Sequence, residues 1–89
     1  IVELKDTVSL MTSDSYIERF IAEYAQTKIR YNKLHNIIVK YDANTLDFQL
    51  SCPIEVLKMQ KTAMGNYLNQ LEIRAEIEHI DLSCVKFLI

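Results

Sequence analysis

Residues 15–42 read SYIERFIAEYAQTKIRYNKLHNIIVKYD. Within them Ile17, Phe20, Tyr24, Thr27, Tyr31, Leu34, Ile38 and Tyr41 recur at alternating steps of three and four. That is one side of a long α-helix, interrupted only by the polar Thr27. Ser15 and Glu18 stand in capping-box spacing at its start, after Thr12-Ser13-Asp14. Neither Gly nor Pro intervenes before Asp42. The pattern predicts a helix over 14–41, a rod of about 40 Å at ~1.5 Å per residue.

Outward from this helix, Asp42-Ala43-Asn44-Thr45 is turn chemistry. Leu46, Phe48 and Leu50 then alternate with polar residues, so 42–52 is expected to be an extended strap with its apolar side folded back over the helices. Pro53 suits a first helical position, with Glu55 in the first turn. Leu57, Met64, Leu68, Leu71 and Ala75 make a second seam over 53–80, with Lys61 intruding, and Val56, Tyr67, Ile73, Ile77 and Ile80 widen it. Gly65 inside that helix costs about 1 kcal/mol relative to Ala, and close helix packing is its simplest explanation. At the other end Leu4, Val8 and Met11 predict a short helix within 1–12. The last residues, 81–89, are mostly apolar and would be an aggregation liability in water. Such a tail either packs on a partner subunit, the preferred reading, or hangs as a disordered end.

These pieces make an all-α, single-domain chain: a long antiparallel helical hairpin with a short N-terminal helix. The outer faces still carry Ile21, Ile29, Ile37, Val39, Val56 and Ile73, more than one hairpin covers, so a homo-oligomer is expected. Composition agrees. One Gly and one Pro in 89 residues cannot supply the turns of a β-sandwich or barrel, nor the glycine motifs that cradle phosphates. The longest aliphatic run, Ile37-Ile38-Val39, is far short of the roughly 20 residues of a membrane span. A net charge of −2 gives no drive for generic nucleic-acid binding. Cys52 and Cys84 form no Cys-x-x-Cys and have no His nearby, so no zinc site is expected and both are read as reduced, cytosolic thiols. No signal-peptide pattern opens the chain, although Ile1 in place of Met leaves room for a trimmed leader.

Charge placement carries more than net charge. In an antiparallel hairpin, residues whose numbers sum to about 94 face each other. The half near the strap, 28–66, is then net +3 and the open half net −5. This asymmetry reads either as a solvated surface that helps subunits stack or as one end built to capture an anion. Arg19 and Arg74 are the helix cations of the acidic half and fall nearly opposite each other. Two converging guanidinium groups can clamp phosphate bidentately; alternatively each pairs with its own i+4 carboxylate, Glu23 or Glu78. Tyr16, beside Arg19, is a base-stacking candidate, whereas Tyr24, Tyr31 and Tyr41 read as core. No catalytic triad, Cys-His pair or paired-carboxylate arrangement stands out, and the chain is read as a binder and not an enzyme, with no cofactor and no metal.

Two segments resemble a known family. Tyr16-Ile-Glu-Arg-Phe-Ile-Ala-Glu-Tyr24, continuing from Lys28 to Lys33-Leu34, resembles the first helix of small phage and prophage proteins related to a crAss-like phage family. Leu57-Lys-Met-Gln60, Ala63-Met64-Gly-Asn-Tyr67-Leu68 and Leu71-Glu72-Ile-Arg74 resemble its second helix, and the likeness covers residues 13–82. That family is similar to the hairpin domain of viral anti-CBASS and anti-Thoeris sponges. The resemblance implies oligomers, commonly hexamers, that hold a cyclic oligonucleotide immune signal in the host bacterial cytoplasm without cleaving it. By position it implies Arg74 as the phosphate-contacting residue, followed by Arg19, Lys28 and Tyr16. Two other functions stay open: a protein-binding inhibitor of a host defence system, anti-CRISPR-like, or a phage structural or assembly protein.

Overall fold

The computed structural model describes residues 3–83 and 85. In chain order they form a 3-10 turn at Leu4–Thr7, a single-turn helix α1 (Val8–Met11), and the long helices α2 (Tyr16–Asp42) and α3 (Ile54–Glu78). The chain is all-helical, with no strand among the described residues. Its overall extents, 42 × 24 × 21 Å, are those of a short rod.

Local chemistry sets the helix ends. Ser15 is extended and its hydroxyl accepts from the Glu18 amide at 3.3 Å, so α2 begins at Tyr16, with Asp14 outside it. At the far end Asn44 adopts φ 60°, a left-handed position that Asn tolerates, and the Thr45 amide closes onto the Lys40 carbonyl at 2.8 Å. Pro53 is the N-cap of α3 and not its first helical residue, because its ψ of 144° is extended. The helix ends at Glu78, where His79 turns left-handed (φ 58°, ψ 40°) and the Ile80 amide reaches the Ala75 carbonyl at 2.8 Å. This closure redirects Ile80 into the core.

The two long helices run antiparallel. Tyr16 hydrogen-bonds Glu78 at one end of the rod, Tyr24 hydrogen-bonds Glu72 further in, and Lys58 pairs with Asp42 at 3.4 Å at the strap end. Between them the larger cluster joins Phe20, Tyr24 and Ala25 to Leu68, Leu71 and Ala75. A smaller one, Leu34, Ile38 and Ile54, lies near the strap, with Leu50, Leu57 and Met64 against it. The N-terminal segment lies along α2, where buried Thr7 accepts from Gln26 Nε2 at 2.8 Å and donates to the Leu4 carbonyl at 2.7 Å.

Three further expectations are corrected. The strap does not bury its whole apolar side: Leu46 and Leu50 are half-buried, but Phe48 is 54% exposed. The tail does not wait for a partner, since Leu82 and Val85 are buried in the chain's own larger cluster. The rest of the tail (Cys84 and 86–89) lies outside the described residues, and so does the reading of Cys84 as a thiol; Cys52 is a free, half-buried cysteine. The outer-face inventory also shifts. Ile29 is buried and Ile21 packs against the larger cluster, whereas Val39, Val56 and Ile73 remain exposed, joined by Met59 at 73% and Ile77 at 71%.

Candidate functional site

The open end of the rod places a Tyr one turn before a Phe on α2 and an Arg opposite them on α3. Tyr16 and Phe20 pack at 6.2 Å between ring centroids, tilted by 59°. Across from them the Arg74 guanidinium lies over the Phe20 ring, 4.9 Å from its centroid, a cation–π contact. Arg74 Nη2 donates to the Tyr16 hydroxyl at 2.7 Å and Nε to Glu78 Oε2 at 3.3 Å, while the Tyr16 hydroxyl donates to Glu78 Oε1 at 2.8 Å. The i+4 pairing weighed for Arg74 is therefore formed. The one weighed for Arg19 is not, because its Nη1 donates to the Ser13 carbonyl at 2.7 Å, which ties the guanidinium to the turn before α2.

These side chains line one cleft of about 330 Å³, formed by Met11, Tyr16, Arg19, Phe20, Glu23 and Arg74. Three of the four residues singled out from sequence are thus brought together. The fourth, Lys28, lies further along α2 with its ammonium 5.5 Å from the Tyr31 ring centroid. Phe20 and Met11 were not anticipated as cleft walls. The facing rule alone signals Phe20, which it sets against Arg74, whereas Met11 enters only through the path of the N-terminal segment. Of the tyrosines read as core, Tyr24 is fully buried, Tyr31 half-buried and Tyr41 exposed.

Electrostatically the cleft is a compensated cation site. Hydrogen bonding to Glu78 pushes the Tyr16 phenol above its ordinary value, so it stays a neutral donor. Partial burial works against the Arg74 cation, but the hydrogen bonds to Tyr16 and Glu78 and the Glu78 carboxylate outweigh it and hold its proton more tightly than usual. Each guanidinium keeps N–H donors that its intramolecular bonds do not use. Glu23 on the wall places a carboxylate beside the two guanidinium groups.

Residues 14–77, well over half of the chain, match the family model described as Sequestin. The chain belongs to the Sequestin family. The matched span runs from just before the α2 cap to the last turn of α3, so the Sequestin unit is the hairpin itself, and the name is that of a sequestering protein. No curated protein and no solved structure matches the chain. Among the described residues no helix of this Sequestin is long and apolar enough to cross a membrane, and no group of three or more His, Cys, Asp or Glu could hold a metal ion.

Proposed function

We propose that this Sequestin is a phage counter-defence protein that binds a cyclic nucleotide immune signal in the host bacterial cytoplasm and retains it without catalysis. Family membership supports retention of a ligand. The observation that carries the anionic, aromatic character of that ligand is the cleft in which Arg19, Arg74 and Tyr16 converge. Guanidinium groups bind phosphate oxygens through paired N–H donors, and an exposed tyrosine ring offers a surface for a base. The Arg74–Glu78 pair is no obstacle, since an exposed i,i+4 ion pair contributes little and a phosphate can displace the carboxylate.

The working form is a homo-oligomer. On α3, Val56, Met59, Tyr67, Ile73 and Ile77 are all exposed; Met59, Ile73 and Ile77 lie on the side away from the core residues Leu68, Leu71 and Ala75, with Val56 and Tyr67 on one flank. A helix apolar on both sides is one that a second surface covers. A second copy lying along this stripe joins rods side by side and brings the open-end clefts to a subunit seam.

Calorimetry against a panel of cyclic di- and trinucleotides tests the reading. Saturable binding that Arg74→Ala abolishes is expected. No affinity better than ~100 μM for any of them refutes it. Stoichiometric capture of a host protein, with no small molecule retained, points instead to a protein-binding inhibitor.

A further inference from the structure

Halfway along the rod the charge pattern changes sign. Residues 24–41 and 56–71 carry Lys28, Arg30, Lys33, Lys40, Lys58 and Lys61 and not one Asp or Glu. Two of these cations, one from each long helix, meet at a single aromatic ring. Lys28 Nζ lies 5.5 Å and Lys61 Nζ 5.7 Å from the Tyr31 centroid. Both lysines are half-buried, so their stems are held along the helix seam and their heads are not free to scatter into solvent. Among the described residues the ion pairs formed use Lys5, Lys58 and Arg74, which leaves Lys28 and Lys61 without a carboxylate partner.

The ring they share abuts α3 at its one glycine and packs against the larger core cluster. Gly65 faces it, and a Cβ built there would stand 3.5 Å from Tyr31 Cε2 and 3.9 Å from its hydroxyl. The smallest residue therefore lies where the phenol edge meets the helix. The Tyr31 hydroxyl makes no hydrogen bond to another described residue, in contrast to Tyr16 and Tyr24, whose hydroxyls are both engaged by Glu side chains. Two ammonium groups held at the ring face and a phenol, with no hydrogen-bond acceptor among the described residues, are the complement of a phosphate. The open-end cleft differs on each count, since Arg74 is already paired and Glu23 lines the wall.

We infer that Lys28, Lys61 and Tyr31 form a second anion site, at mid-rod, that takes the phosphoryl or phosphodiester oxygens of a small phosphate-bearing ligand. The site is independent of the cleft and does not need the sequestration reading to be correct. Like charges confined without a counter-charge repel, and a bound phosphate removes that repulsion while accepting from all three donors.

Gly65 is the chain's only glycine, so its backbone amide is a distinctive nuclear magnetic resonance reporter inside the site. The probes are inorganic pyrophosphate and a cyclic dinucleotide, which separate free phosphate chemistry from the nucleotide. Either is expected to move the Gly65 signal saturably. Lys28→Ala with Lys61→Ala is expected to weaken that response about tenfold or more, and Tyr31→Phe several-fold. The charge-matched control, Lys33→Ala with Lys40→Ala, should change it by less than about twofold. The same spectra verify that each variant is folded. A stationary Gly65 signal, or a Lys28/Lys61 double variant that binds as tightly as its control, overturns the site. If cyclic dinucleotide binding is lost in Arg74→Ala but kept in the lysine variant, the cleft stands and this inference falls. If pyrophosphate moves Gly65 while no cyclic nucleotide binds anywhere, this inference stands and the proposed sequestration falls.

Discussion

Tyr24→Phe removes one oxygen from the centre of the hairpin and leaves the ring in place. In the native chain Tyr24 is fully buried and its hydroxyl donates to Glu72 Oε2 at 2.6 Å. A hydrogen bond to a charged group contributes about 1.5–3 kcal/mol, and half-exposed Glu72 recovers part of that from water, so the expected loss at pH 7 is about 1–2 kcal/mol. The loss depends on pH. Burial, and then the hydrogen bond and charge of Glu72, push the Tyr24 phenol well above its ordinary value. A tyrosine in the unfolded chain ionises near pH 10, whereas the folded one stays neutral, so Tyr24's contribution is complete below pH 10 and declines above it. By pH 11 the unfolded state has gained about 1.4 kcal/mol that the Phe variant lacks. Urea unfolding followed by far-ultraviolet circular dichroism at fixed protein concentration should therefore show a gap between the two proteins at pH 7 that nearly closes by pH 11. A gap that is absent at pH 7, or constant from pH 7 to 11, refutes the buried Tyr24–Glu72 bond as the centre of the core.

Other substitutions probe other layers. Leu82→Ala empties a buried position where the tail returns to the hairpin, and should cost about 2–4 kcal/mol in the same denaturation assay; a cost below about 0.5 kcal/mol would mean that the tail does not complete the core. Gly65→Ala and His79→Gly should each stabilise by about 1 kcal/mol, raising the melting temperature by roughly 4–8 °C, because the first adds helix propensity at ordinary contact distance and the second relieves a left-handed non-glycine residue. Met59→Glu with Ile77→Glu should leave the helical signal unchanged but convert the proposed homo-oligomer to monomer in light scattering; an unchanged mass excludes the α3 stripe as the contact surface.

The hairpin was legible because its determinants are local and periodic. The three–four spacing from Phe20 to Ile38, the Ser15–Glu18 cap and the absence of breakers act within single turns, and the facing rule correctly brings Tyr16 to Glu78 and Phe20 to Arg74. The rule loses accuracy where chain outside the two helices decides the packing. Phe48 alternates like a buried strand residue, yet the strap passes Leu46 and Leu50 inward and leaves it out. Leu82 and Val85 read as an unpartnered tail because nothing in a single-residue pattern announces that His79 adopts a left-handed turn and sends the chain back over Leu71 and Ala75. The site divides the same way. Arg19, Arg74 and Tyr16 were brought to one end by register, but which carboxylate or carbonyl each engages depends on rotamers and on the Ser13 turn, beyond the reach of spacing.

Retention without turnover is the centre of the functional account, and depletion followed by recovery measures it directly. A cyclic nucleotide from the panel that binds in calorimetry is mixed with excess protein and ultrafiltered; the protein is then heat-denatured and the released ligand weighed by mass spectrometry. The account predicts that the filtrate is stripped of ligand in proportion to protein and that denaturation returns it at its original mass. Ligand passing freely into the filtrate, or returning as a hydrolysed product, contradicts it.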